Sequence, residues 1–519
     1  MQKLSLGEFS IYTDKILSSS SAYAIKANAE ALGLNEALQV ENAGAAVANR
    51  IRKAHKNAKM LFICGAGGKG AVGLSAARHL SDYSEIVACF LGSLDGISNE
   101  TTRLNYTLLS DILEIHDVEA GESAIVKAEA RDADIIVDAI TGIGLRGKLH
   151  EDTAKIIGII NDAKRHLVSI DIPSGVNPDI GDATGAYVHA DELLALHKLK
   201  SGIMGSTFVG STTVLDIGIP ISAELLTGAG DVRLAALSRP ANANKYTVGS
   251  VLVVGGGEEY HGAPILAANA ANSALAALRT GAGYATIFAP KSKAEIIRKL
   301  SPNIIVRAYK DENLSKDVVA GVENIRHDVA VIGPGLGKGE DVYDGIAALV
   351  ENETRAGKLI LLDGDAIGAI ARHKRLLGKN IVLTPHHGEF SALVGVDQKD
   401  AEPEQLANRA ISFAKNYNCV IVLKGHETFI SDGNRLKINR AKSSALATMG
   451  TGDVLSGIIG AYLAMNRRPF ESATAGVYLH SVIGDALNKS HGNHILAEDV
   501  ILGIRDLAGS LGSGKGVLV

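Results

Sequence analysis

The sequence predicts an α/β protein of two tandem domains, each built on a largely parallel sheet. Short apolar runs alternate with longer segments of helical spacing along most of the chain, a pattern typical of parallel sheets covered by helices on both faces. This alternation weakens around 221–244, where Gly, Pro, Ala and Asn cluster. A chain of 519 residues also exceeds what one hydrophobic core usually serves. We therefore expect domains at 1–225 and 235–519.

The individual elements follow from these runs in chain order. Buried strands of the first domain are predicted at 60–64, 86–91, 135–138, 167–171, 192–196 and 213–216. Those of the second domain are predicted at 251–254, 284–288, 329–332, 359–363, 381–384 and 420–424. Helical spacing or a long Ala-rich composition predicts helices at 73–80, 153–164, 263–280 and 454–465.

Composition restricts the possible partners and compartments. The net charge of -5 is small for this length, which argues against nucleic acid or an anionic membrane as a partner. The three cysteines are too few and too scattered for a disulfide framework or a zinc site. Neither a signal peptide nor an apolar run of membrane-spanning length is visible. We expect a cytoplasmic homo-oligomer that acts on small molecules.

The segment 447–457 is the most informative part of the chain. It contains a Gly-rich turn, then Asp453, then an apolar run that predicts a helix. Unpaired amides and the positive end of the helix dipole favour an anion at such a helix start. Asp453 could accept a proton from a hydroxyl as phosphoryl transfer begins. The alternative is an ordinary helix start with an acidic first turn.

Chemically useful groups follow five predicted strands of the second domain. They lie at 255–257, 333–337, 363–365, 384–389 and 424–428. The carboxyl ends of parallel strands form the ligand crevice of an open α/β sheet, so we expect these groups to converge. Each has an ordinary explanation, such as a turn, when it is considered alone. Their coincidence at five strand ends predicts a binding site.

From about residue 242 onward the chain resembles the ADP- or ATP-dependent NAD(P)H-hydrate dehydratases of the ribokinase-like superfamily. The matching segments are 249–256, 260–263, 333–337, 384–390, 424–428 and 447–457. The resemblance implies a ribokinase-like α/β domain that removes water from the hydrates NADHX and NADPHX at the expense of a nucleotide. ADP is expected rather than ATP, because the fused two-domain arrangement resembles that of ADP users, and Mg²⁺ is expected between the phosphates.

The resemblance also implies the residues of this site. Asp453 would be the catalytic base. The hydrated nucleotide would contact Asp453, Ala263, Gly335, Gly337 and His386. The nucleotide donor would be held by Lys424, Gly425, His426, Glu427, Thr428 and Gly452.

The first domain resembles the NAD(P)H-hydrate epimerases over roughly residues 10–220, with a Rossmann-like parallel sheet implied. The matching segments are 40–44, 63–80, 137–148, 169–176 and 209–220. Asp171 would be the acid that shuttles a proton, and Asp138 and Ser174 would hold a potassium ion. The substrate would contact Asp171 and the run Gly142, Ile143, Gly144, Leu145, Arg146, Gly147 and Lys148.

The loop 65–73 departs from this family. The family reads Gly-Pro-Gly-Asn-Asn-Gly-Gly-Asp-Gly, whereas here Lys69 stands at the potassium-binding asparagine and Val72 at the aspartate. An ammonium carries the charge of potassium and donates several hydrogen bonds, so Lys69 could pair with Asp138 and replace the ion. The alternative is that Lys69 points to solvent. Because Val72 cannot hydrogen-bond a polar substrate, we expect epimerisation to be weak or lost.

Two further functions stay open from the sequence. The second domain could be a small-molecule kinase of the same superfamily, fused to a non-catalytic Rossmann-like binding domain. The first domain could be a dehydrogenase, because Gly65, Gly67 and Gly70 form a dinucleotide-binding fingerprint after a strand. The acid expected after the second strand is not evident, since Gly92 and Ser93 follow it.

Overall fold

The computed structural model describes residues 4–183, 185–236, 241–257, 263–441 and 443–513, which form two compact units. The first unit is Asp14–Pro220, and the second combines Met1–Thr13 with Ile221–Val519. The predicted ranges 1–225 and 235–519 therefore differ from these units at both ends. Phe9 is buried in a core cluster of the second unit, and so are Leu225 and Val232. These apolar contacts attach both segments to the second unit.

The first unit contains a seven-stranded, wholly parallel sheet in the order β4-β3-β2-β5-β6-β7-β9, with β1 paired to β8. Its strands are β1 Ile16–Leu17, β2 Met60–Cys64, β3 Ile86–Leu91, β4 Ile115–Val118, β5 Ile135–Ala139, β6 His166–Ile170, β7 Ala190–Leu196, β8 Leu199–Lys200 and β9 Val209–Leu215. Its helices are α1 Ser19–Ala31, α2 Glu36–Ala54, α3 Gly68–Leu80, α4 Glu100–Ser110, α5 Ala124–Asp132 and α6 Glu151–Asp162.

Both faces of this sheet are covered by helices, as the apolar runs predict. Successive residues of β2 alternate between two core clusters, with Phe62 in one and Leu61 and Ile63 in the other. All six predicted strands of this unit are present. The edge strand β4 was missed because it reads Ile-His-Asp-Val and lacks an apolar run.

The second unit contains a nine-stranded sheet in the order β12-β11-β10-β13-β14-β15-β16-β17-β18. Its strands are β10 Ser250–Val254, β11 Tyr284–Pro290, β12 Ile305–Tyr309, β13 Val329–Ile332, β14 Leu359–Leu362, β15 Ile381–Leu383, β16 Val420–Leu423, β17 Glu427–Ser431 and β18 Leu436–Arg440. Its helices are α7 Ile221–Leu225, α8 Ala229–Ala235, α9 Ala263–Thr280, α10 Lys291–Leu300, α11 Lys316–Val319, α12 Glu340–Arg355, α13 Asp365–Arg372, α14 His387–Val394, α15 Pro403–Tyr417, α16 Thr451–Asn466, α17 Pro469–His491 and α18 Ala497–Ser513.

The six strands predicted for this unit form its parallel part, together with β12. The last two strands, β17 and β18, are antiparallel to their neighbours and were not predicted. Their charged residues interrupt the apolar pattern, as expected for strands near a sheet edge. The carboxyl ends of β10 and β13–β16 share one edge, which the predicted strand-end groups follow. None of the helices in the described ranges has both the length and the apolar composition that a bilayer span requires.

Candidate active sites

The Gly-rich turn of the second unit leads directly into α16. Gly450 caps this helix with φ of 87°, a left-handed conformation that favours glycine. The helix starts at Thr451, so Asp453 lies on its first turn, where it is half-buried. A Cβ added at Gly452 would lie 3.7 Å from Lys424 Nζ. The start of α16 and the lysine after β16 therefore meet, as the strand-end pattern predicts.

Asp363, directly after β14, accepts hydrogen bonds from three side chains of this site. Its Oδ1 accepts hydrogen bonds from Lys424 Nζ at 2.9 Å and from the Thr384 hydroxyl at 2.8 Å. Its Oδ2 accepts one from the Ser456 hydroxyl of α16 at 2.6 Å. Burial by itself would raise the pKa of Asp363, but the Lys424 charge and these hydrogen bonds outweigh it and hold the pKa below its usual value. Asp363 is therefore ionised, and both of its oxygens are used in hydrogen bonds to Lys424, Thr384 and Ser456.

Two other carboxyl groups beside Lys424 titrate near neutral pH. Burial raises the pKa of Asp453 to about 7, and the negative charge of Asp363 adds to this effect while Lys424 opposes it. Burial likewise raises the pKa of Glu389 to about 7. A group with a pKa near the working pH is well suited to take a proton from substrate. Asp453 combines this property with its place at the helix start.

The predicted substrate-binding residues lie at the same edge. Gly337 N donates to Asp365 Oδ2 at 2.8 Å, which closes the turn that begins at Gly335. His386 caps α14, and its backbone pairs with that of Lys424 in an isolated parallel β-bridge. The His386 side chain is 61% exposed. The exposed ring is thus accessible to a ligand. Ala263 is the first residue of α9, and the matching segment before it, 260–262, lies outside the described residues.

The side chains of the predicted nucleotide-binding run 424–428 do not all face the same site, because the run forms the turn of the hairpin between β16 and β17. Lys424 points to Asp363, whereas Glu427 pairs with Arg440 of β18 at 2.7 Å. The Thr428 hydroxyl donates a hydrogen bond to the backbone carbonyl of Gly425 at 3.2 Å. Gly425 and His426 are exposed in the turn between β16 and β17. The structure thus groups Lys424 and Gly452 with Asp453, but directs the Glu427 carboxylate toward the hairpin.

Asp363 and Glu389 were not assigned roles from the sequence, although both belong to strand-end segments that were singled out. A further missed residue is His480 of α17, which is buried against the backbone of Thr451. Burial lowers the pKa of His480 to about 4, so its ring is neutral beneath the Gly-rich turn. An isolated histidine within a helical segment carries no sequence signal of this contact.

The first unit contains a cavity of about 820 Å³ at the carboxyl edge of its sheet. It is lined by the start of α3, the loop after β5, Asp171 and Lys200. Of the predicted substrate run, Gly142, Ile143, Gly144, Leu145 and Arg146 line the cavity. Gly147 and Lys148 are not among the lining residues, and both are exposed. Within this run the cavity lining ends at Arg146, so contacts of Gly147 and Lys148 with substrate stay a prediction.

Asp171 is held in place at the cavity by a buried lysine. Lys200 is 3% exposed, and its Nζ donates to Asp171 Oδ1 and to the carbonyls of Leu196 and Lys198. Leu196 N donates to the same oxygen at 3.0 Å. The backbone of Asp171 is left-handed, with φ of 64°, which is uncommon outside glycine. Sequence analysis missed Lys200 because its partner lies 29 residues earlier in the chain.

Lys69 lies inside the first unit rather than in solvent. Its Nζ donates to Asp138 Oδ2 at 2.8 Å and to Ser174 Oγ at 3.0 Å. It also donates to the carbonyls of Ile172 at 2.7 Å and Thr141 at 3.2 Å. The predicted pairing of Lys69 with Asp138 is therefore present, and the solvent-exposed alternative is wrong. Burial lowers the pKa of Lys69, an effect that the Asp138 charge opposes.

The loop reaches this position by folding tightly on itself. A Cβ at Gly70 would lie 1.7 Å from the carbonyl oxygen of Gly65, so only glycine fits there. Asp138 is fully buried, and its oxygens also accept hydrogen bonds from the hydroxyls of Ser169 and Ser174 at 2.8 and 2.5 Å. A potassium ion would need the oxygens that the ammonium already contacts. The residues present thus do not fit the ion while Lys69 occupies the site.

Comparison with known proteins identifies both parts of the chain. The sequence profile of the NAD(P)H-hydrate dehydratase family matches residues 251–505, and that of the YjeF-related protein N-terminus matches residues 37–202. Among solved structures, the ADP/ATP-dependent NAD(P)H-hydrate dehydratase from Bacillus subtilis, co-crystallised with ATP and Mg²⁺, is 24% identical with a TM-score of 0.46. The match covers 55% of this chain and 98% of that one.

Two full-length relatives extend the match over both units. The bifunctional NAD(P)H-hydrate repair enzyme of Pyrobaculum aerophilum is 35% identical over 500 residues, which cover 93% of this chain and 96% of the relative. That of Archaeoglobus fulgidus is 35% identical over 493 residues, covering 94% and 98%. The chain therefore belongs to the family of bifunctional NAD(P)H-hydrate repair enzymes, with an epimerase domain followed by a dehydratase domain.

Proposed function

We propose that the second unit dehydrates the S epimer of NADH and NADPH hydrates with ADP as the phosphoryl donor, and that Asp453 is its base. The observation that carries this proposal is the place of Asp453 on the first turn of α16, at the helix start that meets Lys424, where burial raises its pKa to about 7. A base in this position meets both the substrate hydroxyl and the anion that the helix start favours.

The chemistry balances through one phosphoryl transfer. Hydroxide is a poor leaving group, so Asp453 first accepts the proton of the hydrate hydroxyl while the hydroxyl oxygen attacks the β-phosphorus of ADP. AMP leaves with the electrons of the broken P–O bond. The phosphate then leaves the ring carbon with its C–O electrons, assisted by the lone pair of the ring nitrogen. The released phosphate then takes a proton from the adjacent ring carbon, and the electrons of that C–H bond restore the dihydropyridine.

Other residues of the site stabilise charge on the transferring phosphoryl group. The first amides of α16 and the Lys424 ammonium would face that group. The donor set also suits Mg²⁺, because the half-buried Glu389 supplies a carboxylate near Lys424, and burial raises the pKa of that carboxyl to about 7. Glu389 would hold the ion, which would neutralise charge on the phosphates. Asp363 is committed to Lys424 and the hydroxyls of Thr384 and Ser456.

The test is incubation of the whole protein with the S hydrate and either ADP or ATP. With ADP, we expect NADH, AMP and phosphate to appear in equal amounts. NADH is measured by dihydronicotinamide absorbance, and AMP and phosphate are measured by nucleotide and phosphate analysis. Faster turnover with ATP would contradict the choice of donor. Stable phosphorylated alcohols formed from sugar or vitamin-like substrates would favour the kinase alternative. NADH formation without nucleotide cleavage would contradict the mechanism.

We further propose that the first unit epimerises the hydrates slowly and without potassium. Asp171, held by Lys200 at the cavity, would move the proton, while the Lys69 ammonium supplies the positive charge beside Asp138. Val72 lines the cavity with an apolar surface where the family has an acid, which is the reason to expect slow turnover. A dehydrogenase function lacks support, because the relatives that span both units are repair enzymes.

The epimerase proposal is tested with the R hydrate and excess ADP. Consumption faster than spontaneous epimerisation, and equal in sodium and potassium buffers, is expected. A rate equal to the spontaneous one would mean that the activity is lost, and stimulation by potassium would contradict the role of Lys69. A cytoplasmic homo-oligomer without nucleic-acid or membrane partners stays a prediction.

A further inference from the structure

A second cluster of potential ligands lies in the first unit, toward the amino-terminal edge of its sheet. His55 follows α2, His166 is the first residue of β6, and Glu192 lies in the neighbouring strand β7. One ligand atom from each falls within 4.8 Å of the others. The cavity with Asp171 lies at the carboxyl edge of the same sheet. The cluster is therefore separate from the epimerase site.

One ring nitrogen of each histidine lacks a hydrogen bond at this point. The Nε2 atoms of His55 and His166 are both buried, and neither makes a hydrogen bond to a described residue, since the Glu192 carboxylate lies 3.9 Å from His55 Nε2, beyond hydrogen-bond distance. The two ring centroids are only 4.8 Å apart. Buried polar atoms without partners are unfavourable and rare in folded proteins. A cation between the rings would satisfy both nitrogens at once.

The surrounding carboxylates are arranged as a metal site requires. Glu192 Oε1 forms an ion pair with Arg50 Nη2 at 2.5 Å and accepts a hydrogen bond from the Thr213 hydroxyl at 3.3 Å. Its other oxygen, Oε2, lies 3.9 Å from His55 Nε2. His166 Nδ1 lies 3.7 Å from Asp191 Oδ2. Metal-binding histidines commonly direct their second nitrogen at a carboxylate, and metal-binding carboxylates are themselves hydrogen-bonded. Asp191 and Arg50 would serve these two supporting roles.

We propose that His55, His166 and Glu192 bind a divalent transition metal ion of the zinc class. Two imidazoles and one carboxylate favour such ions over calcium or magnesium, which prefer oxygen ligands. Zinc ligands stand about 3.4 Å apart in tetrahedral geometry, so the ligand atoms must move inward. The side chains of His55 and His166 are 23% and 39% exposed, which leaves them room to rotate and leaves a position for water.

Such an ion would connect the end of α2 to β6 and β7. Gln39 and Val40, nearer the start of α2, line the catalytic cavity. Fixing the far end of this helix would stabilise the cavity wall without any contact to substrate. The role is therefore structural, and metal binding should raise thermal stability with the logarithm of the free ion concentration once that concentration exceeds the dissociation constant.

The test uses untagged whole protein freed of metal by a chelator and titrated with Zn²⁺ and Co²⁺. We expect one ion per chain by calorimetry, a visible Co²⁺ spectrum typical of nitrogen and oxygen ligands, and a higher melting temperature with zinc. His55→Ala, His166→Ala and Glu192→Gln should each weaken binding by at least about tenfold. His116→Ala on β4 is the matched control and should bind as the unmodified chain does, because His116 lies beside Glu114 at 3.9 Å and is not part of the cluster.

Asp191→Asn provides a milder variant, because the Asp191 side chain is 56% exposed. It should lower zinc affinity roughly tenfold through the orientation of His166, while the apo melting temperature changes little. The proposal is overturned if the unmodified chain shows no saturable binding at micromolar zinc. It is also overturned if a folded His55→Ala/His166→Ala variant keeps the same stoichiometry and Co²⁺ spectrum.

Discussion

Each of the two candidate sites places a lysine against a buried aspartate, with different consequences. The half-buried Lys424 pairs with Asp363, and burial together with the charge of Asp363 raises the pKa of the neighbouring Asp453 to about 7, although Lys424 opposes this effect. Lys69 instead donates to Asp138 and three other oxygens, so that its charge is satisfied inside the unit. A buried ion pair contributes little net stability, but it is costly to break. At the residue scale, the first pair adjusts a base and the second takes the place of an ion.

The first prediction concerns Asp453 and pH. Because the base must be ionised and its pKa is raised to about 7, dehydration should be slow below this pH and rise through it to a plateau. Asp453→Asn should lower turnover by roughly two to four orders of magnitude and abolish this rise. ADP binding should persist, since Lys424 and the helix amides are unchanged. Near-normal turnover, or the same pH dependence in the variant, would remove Asp453 from the mechanism.

The second prediction concerns Lys69. Lys69→Asn leaves Asp138 buried without its cation, so the first unit should lose about 3–5 kcal/mol of stability in sodium buffer. Potassium should restore much of this stability and stimulate epimerisation in the variant only. Lys127→Asn, at an exposed position of α5 outside the cavity lining, is the control. A crystal grown in potassium that shows an ion beside Asp138 and Ser174, with Lys69 turned away, would disprove the replacement.

At the scale of elements, the packing of α16 on α9 positions the base. A Cβ at Gly457 would lie 2.1 Å from the carbonyl oxygen of Ser273, so the two helices approach as closely as glycine allows. Asp453 and the anion-binding amides lie one turn before this contact. Any increase in the distance between the helices therefore moves the start of α16 relative to Lys424.

The third prediction is that Gly457→Ala impairs both stability and catalysis. The added methyl group overpacks the contact and should cost about 1–3 kcal/mol in the unfolding free energy of the second unit. Turnover should fall more than ADP affinity, measured by steady-state kinetics. Gly368→Ala is the control within the same unit, since its nearest neighbour would be Tyr343 Oη at 3.5 Å, an ordinary contact. Equal effects of both substitutions would contradict this account.

At the scale of the whole molecule, described residues on both sides of the first unit, 4–13 and those from 221 onward, belong to the same second unit. The short helical turn Leu6–Tyr12 packs on the second unit, and Phe9 is only 2% exposed. The first unit is thus inserted between two segments of the second. A fragment that starts at residue 235 would lack Phe9 and the helices α7 and α8.

The fourth prediction follows from this arrangement. Phe9→Ala should destabilise the second unit by about 3–5 kcal/mol and leave the first unit unchanged. Thermal unfolding with and without ADP would assign the affected transition, because the nucleotide should stabilise only the second unit. Ile11→Ala, at a side chain 66% exposed, should change stability by less than about 0.5 kcal/mol. Loss of stability in the first unit instead would contradict the observed division.

The sequence by itself determined the α/β class, the apolar central strands of both sheets and the strand-end groups, because apolar runs and turn residues are local signals. It also singled out Asp453 as a candidate base and Lys69 as a substitution in the family's loop, because both inferences depend on the residue type at a motif position. Only the tertiary structure decided the pKa of Asp453, the contact of Lys200 with Asp171 and the place of Phe9. Burial and ion pairing join residues far apart in the chain, and no local pattern encodes them.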